Sequence, residues 1–395
     1  MSMRYQAGIV LPGYNALKVA NAPTIGTATV ASGTTVSVTF TAPACTGGGA
    51  ISSYTAFACC GVKLVSGASS PLVVTGLTTS QAYTFKVIAT NAYGPSYPSA
   101  SSNSATPPAA GQQAYTTAGS YSWVAPSGVT SVSVVTVGGG GGWNNYYSNT
   151  GGSGGGLRYR NNYTVIPGNS YTVNVGAAGS TGNALGVNTR GGSSYFINTC
   201  TVYAQGGVSQ DQSNPCTPAC GYFPGGTGSA IGGSIGGGNG GASSRGSNSS
   251  GGGGGGGAGG YSGNGGAGGG KQYSKTATAG SGGGGGGGAG AGTNYCGSCG
   301  TGGSAAPGLG GGVGLLGQGS NGASGGANGS NASYPTLPGS GGSGVAGSGG
   351  CGKLYGGGGT PGTNYSGGQA GGNGAVRIIW PGTTRSFPST CTGNL

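Results

Sequence analysis

The chain has 395 residues, of which 105 are glycine, and only 4% of its residues are charged. Average proteins contain about 7% glycine and about 25% charged residues. Thirteen Lys and Arg residues stand against one acid, Asp211, and there is no histidine, so the formal net charge is +12. This inventory excludes a two-carboxylate glycosidase, a Ser-His-Asp hydrolase and carboxylate-based Ca²⁺ or Mg²⁺ sites. We therefore expect a structural or binding protein that is not an enzyme and uses no cofactor or metal.

Residues 1–21 are predicted to form an N-terminal arm that is too short for a hydrophobic core of its own. The arm has several apolar side chains and two tyrosines, Tyr5 and Tyr14. Such a segment becomes ordered only when it packs on something else, so we expect it to attach the chain to another protein. A frayed terminus is the alternative.

Residues 22–107 are predicted to form a compact all-β domain. Apolar and polar residues alternate over 35–40, which is typical of a strand with one buried face. Further short strands are expected at 51–57, 72–77 and 82–89, with turn-rich segments between them. Short strands separated by turns over about 90 residues predict a β-sandwich.

Residues 108–395 are predicted to form a second β domain that follows a short linker at 108–111. Its strands are expected within 114–126, 129–137, 163–175, 194–197 and 201–204. The segment 225–374 is nearly half glycine, and a strand-like sequence returns at 375–381. The simplest interpretation is that this closing strand completes the sheet begun near residue 115, so that 225–374 is a long insertion.

Three structures compete for the glycine-rich insertion. A disordered linker is favoured by the entropy that glycine loses on ordering. A packed array of polyproline-II-type helices is favoured by Gly-Gly-x units such as 259–261, because glycine lets backbones approach closely. A silk-like stacked sheet ranks last, because strand propensity is poor here. We predict the helical array, and we predict receptor contacts at the tyrosines that punctuate it: Tyr261, Tyr273, Tyr295, Tyr334, Tyr355 and Tyr365.

Four of the ten cysteines form close pairs, Cys216 with Cys220 and Cys296 with Cys299. We predict that they lie in loops and form disulfide bridges, because a glycine-rich loop gains much from a cross-link. Free thiols in a reducing cytosol and a zinc site are the alternatives, although zinc needs four ligands at defined spacing and histidine is absent. The basic residues are scattered rather than clustered, which does not favour nucleic-acid binding. Attraction to an anionic cell envelope is a second interpretation of the positive charge.

The 22–107 region resembles a fibronectin type III domain. Phe40 stands where that family has a tryptophan in the second strand, and Gly76-Leu77 matches the pair before the sixth strand. Tyr83 matches the tyrosine of the tyrosine corner, which implies that its hydroxyl bonds to the upstream backbone. The segment 91–96, Asn-Ala-Tyr-Gly-Pro-Ser, matches the turn that precedes the last strand.

The second domain resembles the glycine-rich domains of bacteriophage tail and adhesin proteins. The resemblance is carried by the strand sequence at 123–134 followed by polyglycine, and by the ends at 374–382 and 385–388. Adhesins of the T-even type carry polyglycine-II sandwiches at the fibre tip. The resemblance implies receptor contacts on the loops that join the glycine helices.

The sequence therefore predicts an all-β chain, a fibronectin type III-like sandwich followed by a second β-sandwich with a long glycine-rich insertion. We expect a phage virion protein on the tail or capsid surface, extracellular after release, that acts as a tail fibre or host-receptor-binding adhesin. Its expected partners are other virion proteins, through the arm, and a host cell-surface polysaccharide or outer-membrane protein. A homo-oligomer is expected, with a trimer as one form, although no coiled-coil heptad enforces it. A capsid decoration or fibre-shaft protein without receptor binding is the alternative.

Overall fold

The computed structural model describes most of both domains. It covers residues 18–59, 63–142, 151–181, 190–208, 235–244, 254–269, 355–359 and 370–388, together with short pieces at 222–223, 226, 228–230, 278, 280–281, 284, 311, 313–316, 318 and 321. The chain divides into two compact units. Unit 1 is Met1–Ala110 with Pro126–Gly128, and unit 2 is Gly111–Ala125 with Val129–Leu395.

The described residues form nineteen strands and no helix, which confirms the predicted all-β fold class. In unit 1 the strands are β1 (Thr24–Ser32), β2 (Thr35–Thr41), β3 (Ile51–Ala58), β4 (Leu64–Gly67), β5 (Leu72–Val74), β6 (Phe85–Asn91) and β7 (Gly94–Pro95). In unit 2 they are β8 (Gly111–Tyr115), β9 (Gly119–Val124), β10 (Ser131–Val137), β11 (Leu157–Thr164), β12 (Ser170–Val175), β13 (Ser194–Phe196), β14 (Val202–Ala204), β15 (Tyr222–Phe223), β16 (Gly228–Ala230), β17 (Ile235–Gly236), β18 (Ser243–Ser244) and β19 (Ala375–Trp380).

Unit 1 is a sandwich of two antiparallel sheets with strand orders β1-β2-β5 and β4-β3-β6-β7. Two packed antiparallel sheets confirm the predicted β-sandwich. Phe40 lies in the core and packs on Tyr54 with 4.7 Å between ring centroids. The tyrosine corner is also present, because the amide of Thr78 donates to the hydroxyl of Tyr83 at 3.0 Å.

The predicted N-terminal arm is shorter than 1–21 in the structure, because its last four residues belong to the sandwich of unit 1. The amide of Lys18 donates to Gly47 O at 2.9 Å, and the amide of Asn21 donates to Cys45 O at 3.0 Å. Ala20 is buried in the core of the unit. Tyr5 and Tyr14 lie outside the described residues.

The segment 96–105 runs along the edge of β6 and covers it. Every third residue of this segment bonds to every second residue of the strand. The amides of Ala89, Val87 and Phe85 donate to the hydroxyls of Ser96, Ser99 and Ser102. The amides of these three serines donate back to the carbonyls of the same strand residues at 2.7–2.9 Å. A serine at every third position therefore satisfies an edge that would otherwise be open to pairing with another chain.

Unit 2 contains a second sandwich, with sheet orders β17-β11-β10-β19-β8 and β16-β14-β13-β12-β9. The closing strand, β19, lies between β10 and β8, with Ser133 opposite Ile379 and Ile378 opposite Gln113. Side chains from both sheets form the core between them: Trp123, Val132, Val134, Val173, Phe196, Val202, Val376 and Ile378.

The first of these sheets is covered on its other face as well. Val135, Val137 and Ile379 point away from the sandwich core and pack against Ala258, Tyr261, Val313, Leu315 and Phe387. All seven residues of β10 are consequently buried. This explains why the second half of β10, Val134–Val137, is a run of β-branched residues without alternation, as expected of a strand buried on both faces.

Strands of the second sandwich continue directly into extended glycine-rich segments, which pack side by side. We call this array the glycine lattice. Its segments are 138–142, 152–156, 176–180, 191–193, 205–208, 237–242, 254–260, 263–269, 356–359 and 371–374. Four of these follow β10, β12, β14 and β17, and three precede β11, β13 and β19. The array is therefore not confined to the predicted insertion 225–374 but begins at Gly138.

The backbone hydrogen bonds of 152–157 show the geometry of the lattice most completely. Every third amide donates to the same neighbouring segment at 2.7–3.0 Å: Gly152 and Gly155 to 356–359, Ser153 and Gly156 to 205–208, and Gly154 and Leu157 to 237–242. The carbonyls of 152–156 accept from three further neighbours, 138–142, 254–260 and Gly226. A repeat of three residues with six neighbours is the arrangement of packed polyproline-II-type helices, whereas a strand repeats every two residues.

Glycine is required at many lattice positions because no Cβ atom fits there. A Cβ atom at Gly154 would overlap the carbonyl oxygen of Gly257, and one at Gly139 would overlap that of Ala177. Among the described lattice glycines, positive φ occurs at Gly237 and Gly356 alone, so backbone conformation is not the general reason for glycine here. The hydrogen that replaces the side chain instead points at a neighbouring carbonyl, which is the geometry of a weak C–H···O hydrogen bond.

We predict that Gly154→Ala destabilises the chain, because the added methyl group would meet backbone that cannot move without breaking lattice hydrogen bonds. The expected loss in the free energy of unfolding is about 2 kcal/mol or more. Ala177→Ser is the matched control, because Ala177 lies in a lattice segment with its side chain exposed. It should change the free energy by less than about 0.5 kcal/mol. Urea titration measures both, and equal effects would contradict the packing argument.

We also predict slow amide hydrogen exchange in 254–260, a lattice segment that belongs to no strand. Its amides at Gly254, Gly256, Gly257, Ala258 and Gly259 donate to carbonyls of other segments at 2.8–3.0 Å. Bonded and buried amides exchange only through local or global opening. Exchange of these amides within seconds in the native protein would mean that the segment is a loose linker.

Candidate functional site

The lattice has one end at the sandwich and a second end away from it, which we call the distal end. Gly142, Gly152, Gly179, Gly254 and Gly359 lie at this end. Hydrogen bonds connect it laterally, from Gly152 to Gly359 O at 2.9 Å, from Gly254 to Gly269 O at 2.8 Å and from Gly371 to Gly179 O at 3.2 Å. Backbone hydrogen bonds thus connect the distal end, and the hydroxyl of Ser153 adds bonds to and from Val208 at 2.8 Å.

Five gaps between the described ranges have their flanking residues at or near the distal end of the lattice. The flanking residues are 142 and 151, 181 and 190, 244 and 254, 269 and 278, and 359 and 370. At the end of the lattice segment 237–242, β18 pairs with β15, with Tyr222 opposite Ser244. Successive connections between extended segments therefore start and finish at one end of a single hydrogen-bonded array.

Tyr261, predicted to be a receptor contact, is a core residue instead. It has no exposed surface, it stacks on Phe387 with 5.7 Å between ring centroids, and its hydroxyl donates to Gly314 O at 3.1 Å. The prediction for Tyr261 was wrong because its turn, between 254–260 and 263–269, meets the outer face of the sheet. An aromatic ring among glycines here supplies apolar area to a core that glycine cannot fill.

Tyr355 is partly buried and packs against the same hydrophobic cluster as Tyr261. Its carbonyl accepts from the amide of Val313 at 3.0 Å. Tyr355 is therefore part of the cover over the sheet rather than an open contact residue.

The other predicted site residues lie outside the described residues and stay predictions. They are Tyr273, Tyr295, Tyr334 and Tyr365 and the four cysteines Cys216, Cys220, Cys296 and Cys299. Tyr273 and Tyr365 belong to segments whose described flanks lie at the distal end. The flanks of the segment that contains Tyr295, at Gly284 and Gly311, lie beside Ala258 near the sandwich instead.

A buried arginine, which the sequence analysis did not single out, joins the closing strand to the cover. Arg377 of β19 is 2% exposed. It donates through Nη1 to Leu315 O at 2.8 Å and through Nη2 to Gln112 Oε1. Arg385 donates to Gly111 O at 2.5 Å on the adjacent strand. The signal in the sequence was an arginine within the apolar strand 375–380, where a buried charge needs several oxygen partners.

Burial lowers the pKa of Arg377 below its usual value; nearby Tyr261 opposes this shift and the positive charge of Arg385 adds to it. Burial also lowers the pKa of Arg158, which donates to Leu157 O, Gly238 O and Asn239 Oδ1 at 2.6–2.7 Å. Carbonyl and amide oxygens thus accept the hydrogen bonds of buried arginines, a role that carboxylates often have in other proteins. The guanidinium groups of Arg158, Arg377 and Arg385 are therefore bonded to oxygens within the structure and do not form a positive surface patch.

The described residues offer little for other kinds of site. They contain no group of three His, Cys, Asp or Glu side chains that could hold a metal ion. Within the same residues, no helix is long and apolar enough to cross a membrane. Three cysteines in this part of the chain, Cys45, Cys59 and Cys200, are exposed free thiols.

The comparison with solved structures finds similarities to fragments of titin and twitchin. A titin fragment, domains A168-A170, is 27% identical with a TM-score of 0.21 and covers 23% of this chain and 33% of that one. The twitchin kinase region from C. elegans is 21% identical with a TM-score of 0.21, over 23% of this chain and 17% of that one. Titin kinase with its flanking domains is 17% identical with a TM-score of 0.20, over 41% and 30%. The chain spans a third or less of the length of these structures, and the fold assignment above rests on sheet order rather than on these scores.

No curated protein is significantly similar to this chain. A family model described as "Glycine-rich domain" matches residues 116–331, which is more than half of the chain. The match starts beside β9 of the second sandwich and includes most lattice segments, from 138–142 to 263–269. The chain therefore belongs to the glycine-rich domain family.

Proposed function

We propose that this protein is a phage virion component, a tail fibre or adhesin that recognises the host cell surface. The observation that carries the proposal is the convergence of the lattice connections at the distal end. Binding residues are commonly placed on connections that a rigid scaffold holds, since the scaffold can stay constant while the connections differ. The lattice is a scaffold of this kind, built almost entirely from backbone.

The amino acids of the connecting segments support a binding role. The segment 143–150 contains Trp143, Tyr146 and Tyr147, and the segments 270–277 and 360–369 contain Tyr273 and Tyr365. Tyrosine and tryptophan provide large contact areas at a small cost in side-chain entropy. Asparagine, serine and threonine surround them, and they can donate and accept hydrogen bonds. This composition fits a polysaccharide or the outer part of a membrane protein.

In this proposal unit 1 is a spacer, and the residues before Lys18 attach the chain to other virion proteins. The protein would be a homo-oligomer on the tail or capsid surface and would be extracellular after release. The proposal assigns no chemical step to the chain, because one carboxylate and no histidine leave almost no acid–base groups.

The alternative is a capsid decoration or fibre-shaft protein that binds no receptor. The extended edge of unit 1, which 96–105 closes with serine hydroxyls, would suit a protein that must stay soluble at high local density. Both alternatives predict incorporation into a virion, and only the adhesin predicts binding to cells.

The test is binding of the labelled full chain to phage-susceptible bacteria, measured by flow cytometry against resistant cells of the same species. We expect saturable binding to susceptible cells alone. Replacement of 143–150 by a Gly/Ser segment of equal length should weaken binding by about tenfold without changing the melting temperature. The double variant Tyr93→Ala/Tyr97→Ala in unit 1, at tyrosines that are 45% and 82% exposed, is the control. Incorporation into particles without any cell binding would favour the decoration or shaft alternative.

We further predict that stability is insensitive to pH between about 5 and 7, because no side-chain type present has an ordinary pKa in that range. Above about pH 10 stability should fall. Burial raises the pKa of Tyr115 and Tyr159 in the folded chain. Their contribution is therefore fully present below the unfolded tyrosine pKa and is lost as pH rises through the folded one. The lowered arginine pKa values act in the opposite direction, but only near about pH 12.

Scanning calorimetry from pH 5 to 11 measures this dependence. Tyr159→Phe should reduce the alkaline loss, because it removes a tyrosine whose pKa burial raises. A melting temperature that changes steeply between pH 5 and 7 would be inconsistent with the charge inventory.

A further inference from the structure

The sheet β16-β14-β13-β12-β9 has one face in the sandwich core and one face turned outward. Phe196, Val202 and Val173 point into the core. The alternate residues Tyr195, Tyr203 and Asn174 are only partly buried and lie on the outward face. The opposite sheet differs, because its outward face is covered by residues of the glycine-rich region.

The outward residues form a row that crosses four strands. Ser120 is opposite Asn174, Asn174 is opposite Tyr195, and Tyr195 is opposite Tyr203. We call these four residues the tyrosine row. Adjacent strands are about 4.8 Å apart, so the row extends over about 14 Å. Ser122 and Thr172, which are exposed and opposite each other, lie on the same face beside it.

Two members of the row, Asn174 and Tyr203, are held in place by hydrogen bonds to Ser193. The side-chain amide of Asn174 donates to Ser193 O at 2.9 Å, and the hydroxyl of Tyr203 lies 3.0 Å from the hydroxyl of Ser193. Both side chains therefore have restricted orientations before any partner binds. Preorganisation of this kind lowers the entropy cost of binding.

The absence of charge on the outward face of this sheet indicates which class of partner it could bind. The tyrosine row and its neighbours Ser122 and Thr172 contain no charged side chain, in a chain of net charge +12. These residues would therefore offer no ion pair to an anionic polymer or an anionic lipid surface. Aliphatic side chains, which form the centre of many protein–protein interfaces, are absent from the row. The aliphatic residue on the same face is Val124, at the end of β9 two residues beyond Ser122, and it is 55% exposed.

Aromatic rings that alternate with amide and hydroxyl groups match the surface of a sugar chain. The ring faces of tyrosine pack on apolar C–H surface, and the hydroxyl at the ring's edge can take part in hydrogen bonds, as that of Tyr203 does with Ser193. Asparagine and serine can both donate to and accept from sugar hydroxyls. A row about 14 Å long is suited to several linked sugars rather than to one.

We propose that the tyrosine row binds an uncharged polysaccharide as an extended chain that lies across the strands. This inference rests on the proposed adhesin function and gives it a second contact surface, distinct from the connections at the distal end. The sheet would hold a repeating polymer, while the distal connections would recognise the receptor that the polymer surrounds.

Affinity gel electrophoresis of the full chain tests this proposal. The gels contain dextran, yeast mannan or galactomannan as uncharged probes and alginate as the anionic probe. We expect retardation by at least one uncharged polymer, insensitive to 0.5 M salt. The double variant Tyr195→Ala/Tyr203→Ala should weaken retardation by about tenfold. Tyr97→Ala is the matched control, because Tyr97 is a tyrosine of unit 1 that is 82% exposed.

A milder variant keeps the test decisive if the double variant is unstable. Asn174→Ala removes an amide from the row without removing a ring, and it should weaken retardation while the melting temperature stays within a few degrees. Retardation by alginate alone, by none of the uncharged polymers, or equally in wild type and folded variants would overturn the proposal.

Cell binding by the same variants separates this proposal from the adhesin role. Binding to susceptible cells that is lost in the double variant would support both. Unchanged cell binding together with unchanged gel retardation would refute the tyrosine row and leave the adhesin role in place. Failure of the wild-type chain to bind cells would count against the adhesin role, whereas the gels would still decide the row.

Discussion

The structure of unit 2 depends on one constraint, the absence of Cβ atoms between neighbouring backbones. Each lattice segment donates and accepts hydrogen bonds in several directions, and a methyl group in the contact would overlap a carbonyl oxygen. A net backbone hydrogen bond contributes about 1 kcal/mol, which is similar to the backbone entropy lost per ordered residue. In the lattice alone, the free energy gained from hydrogen bonds is therefore close to the free energy lost by ordering the backbone. Its attachment to the sheet through Ala258, Tyr261 and Phe387 supplies the apolar burial that glycine lacks.

The sandwich and the lattice are one continuous hydrogen-bonded body within unit 2. Strands β10, β11, β12 and β19 fix the direction and spacing of the chain, and the glycine segments begin where these strands end. Between them the repeat changes from two residues to three. A strand pairs with two neighbours, whereas a segment such as 152–156 bonds to six, so the sheets serve as a template on which a three-dimensional array forms.

Much of the fold could be predicted from the sequence, and the limits have physical causes. Alternation over 35–40 and the match of Tyr83 to the tyrosine corner identified the first sandwich, because its side chains carry the pattern. The closing strand was recognisable because it is the apolar segment that follows the glycine. The three-residue period was predicted from the Gly-Gly-x units, whereas the start of the lattice at Gly138 was not, because a contact made by backbone leaves no side-chain pattern except glycine itself. Tyr261 was misassigned for a related reason. A lone aromatic residue among glycines has the same sequence context whether it faces solvent or fills a core.

The direction of the lattice segments has a mechanical consequence. The segments run along the same axis as the strands to which they are joined, and their hydrogen bonds point sideways. A pull applied to the distal end would travel along covalent backbone and load many lateral bonds in shear at the same moment. Hydrogen bonds that are loaded together resist far more force than hydrogen bonds that break one after another. A protein tethered to a particle at one end and to a cell at the other would hold under tension with very few side chains in its load-bearing part.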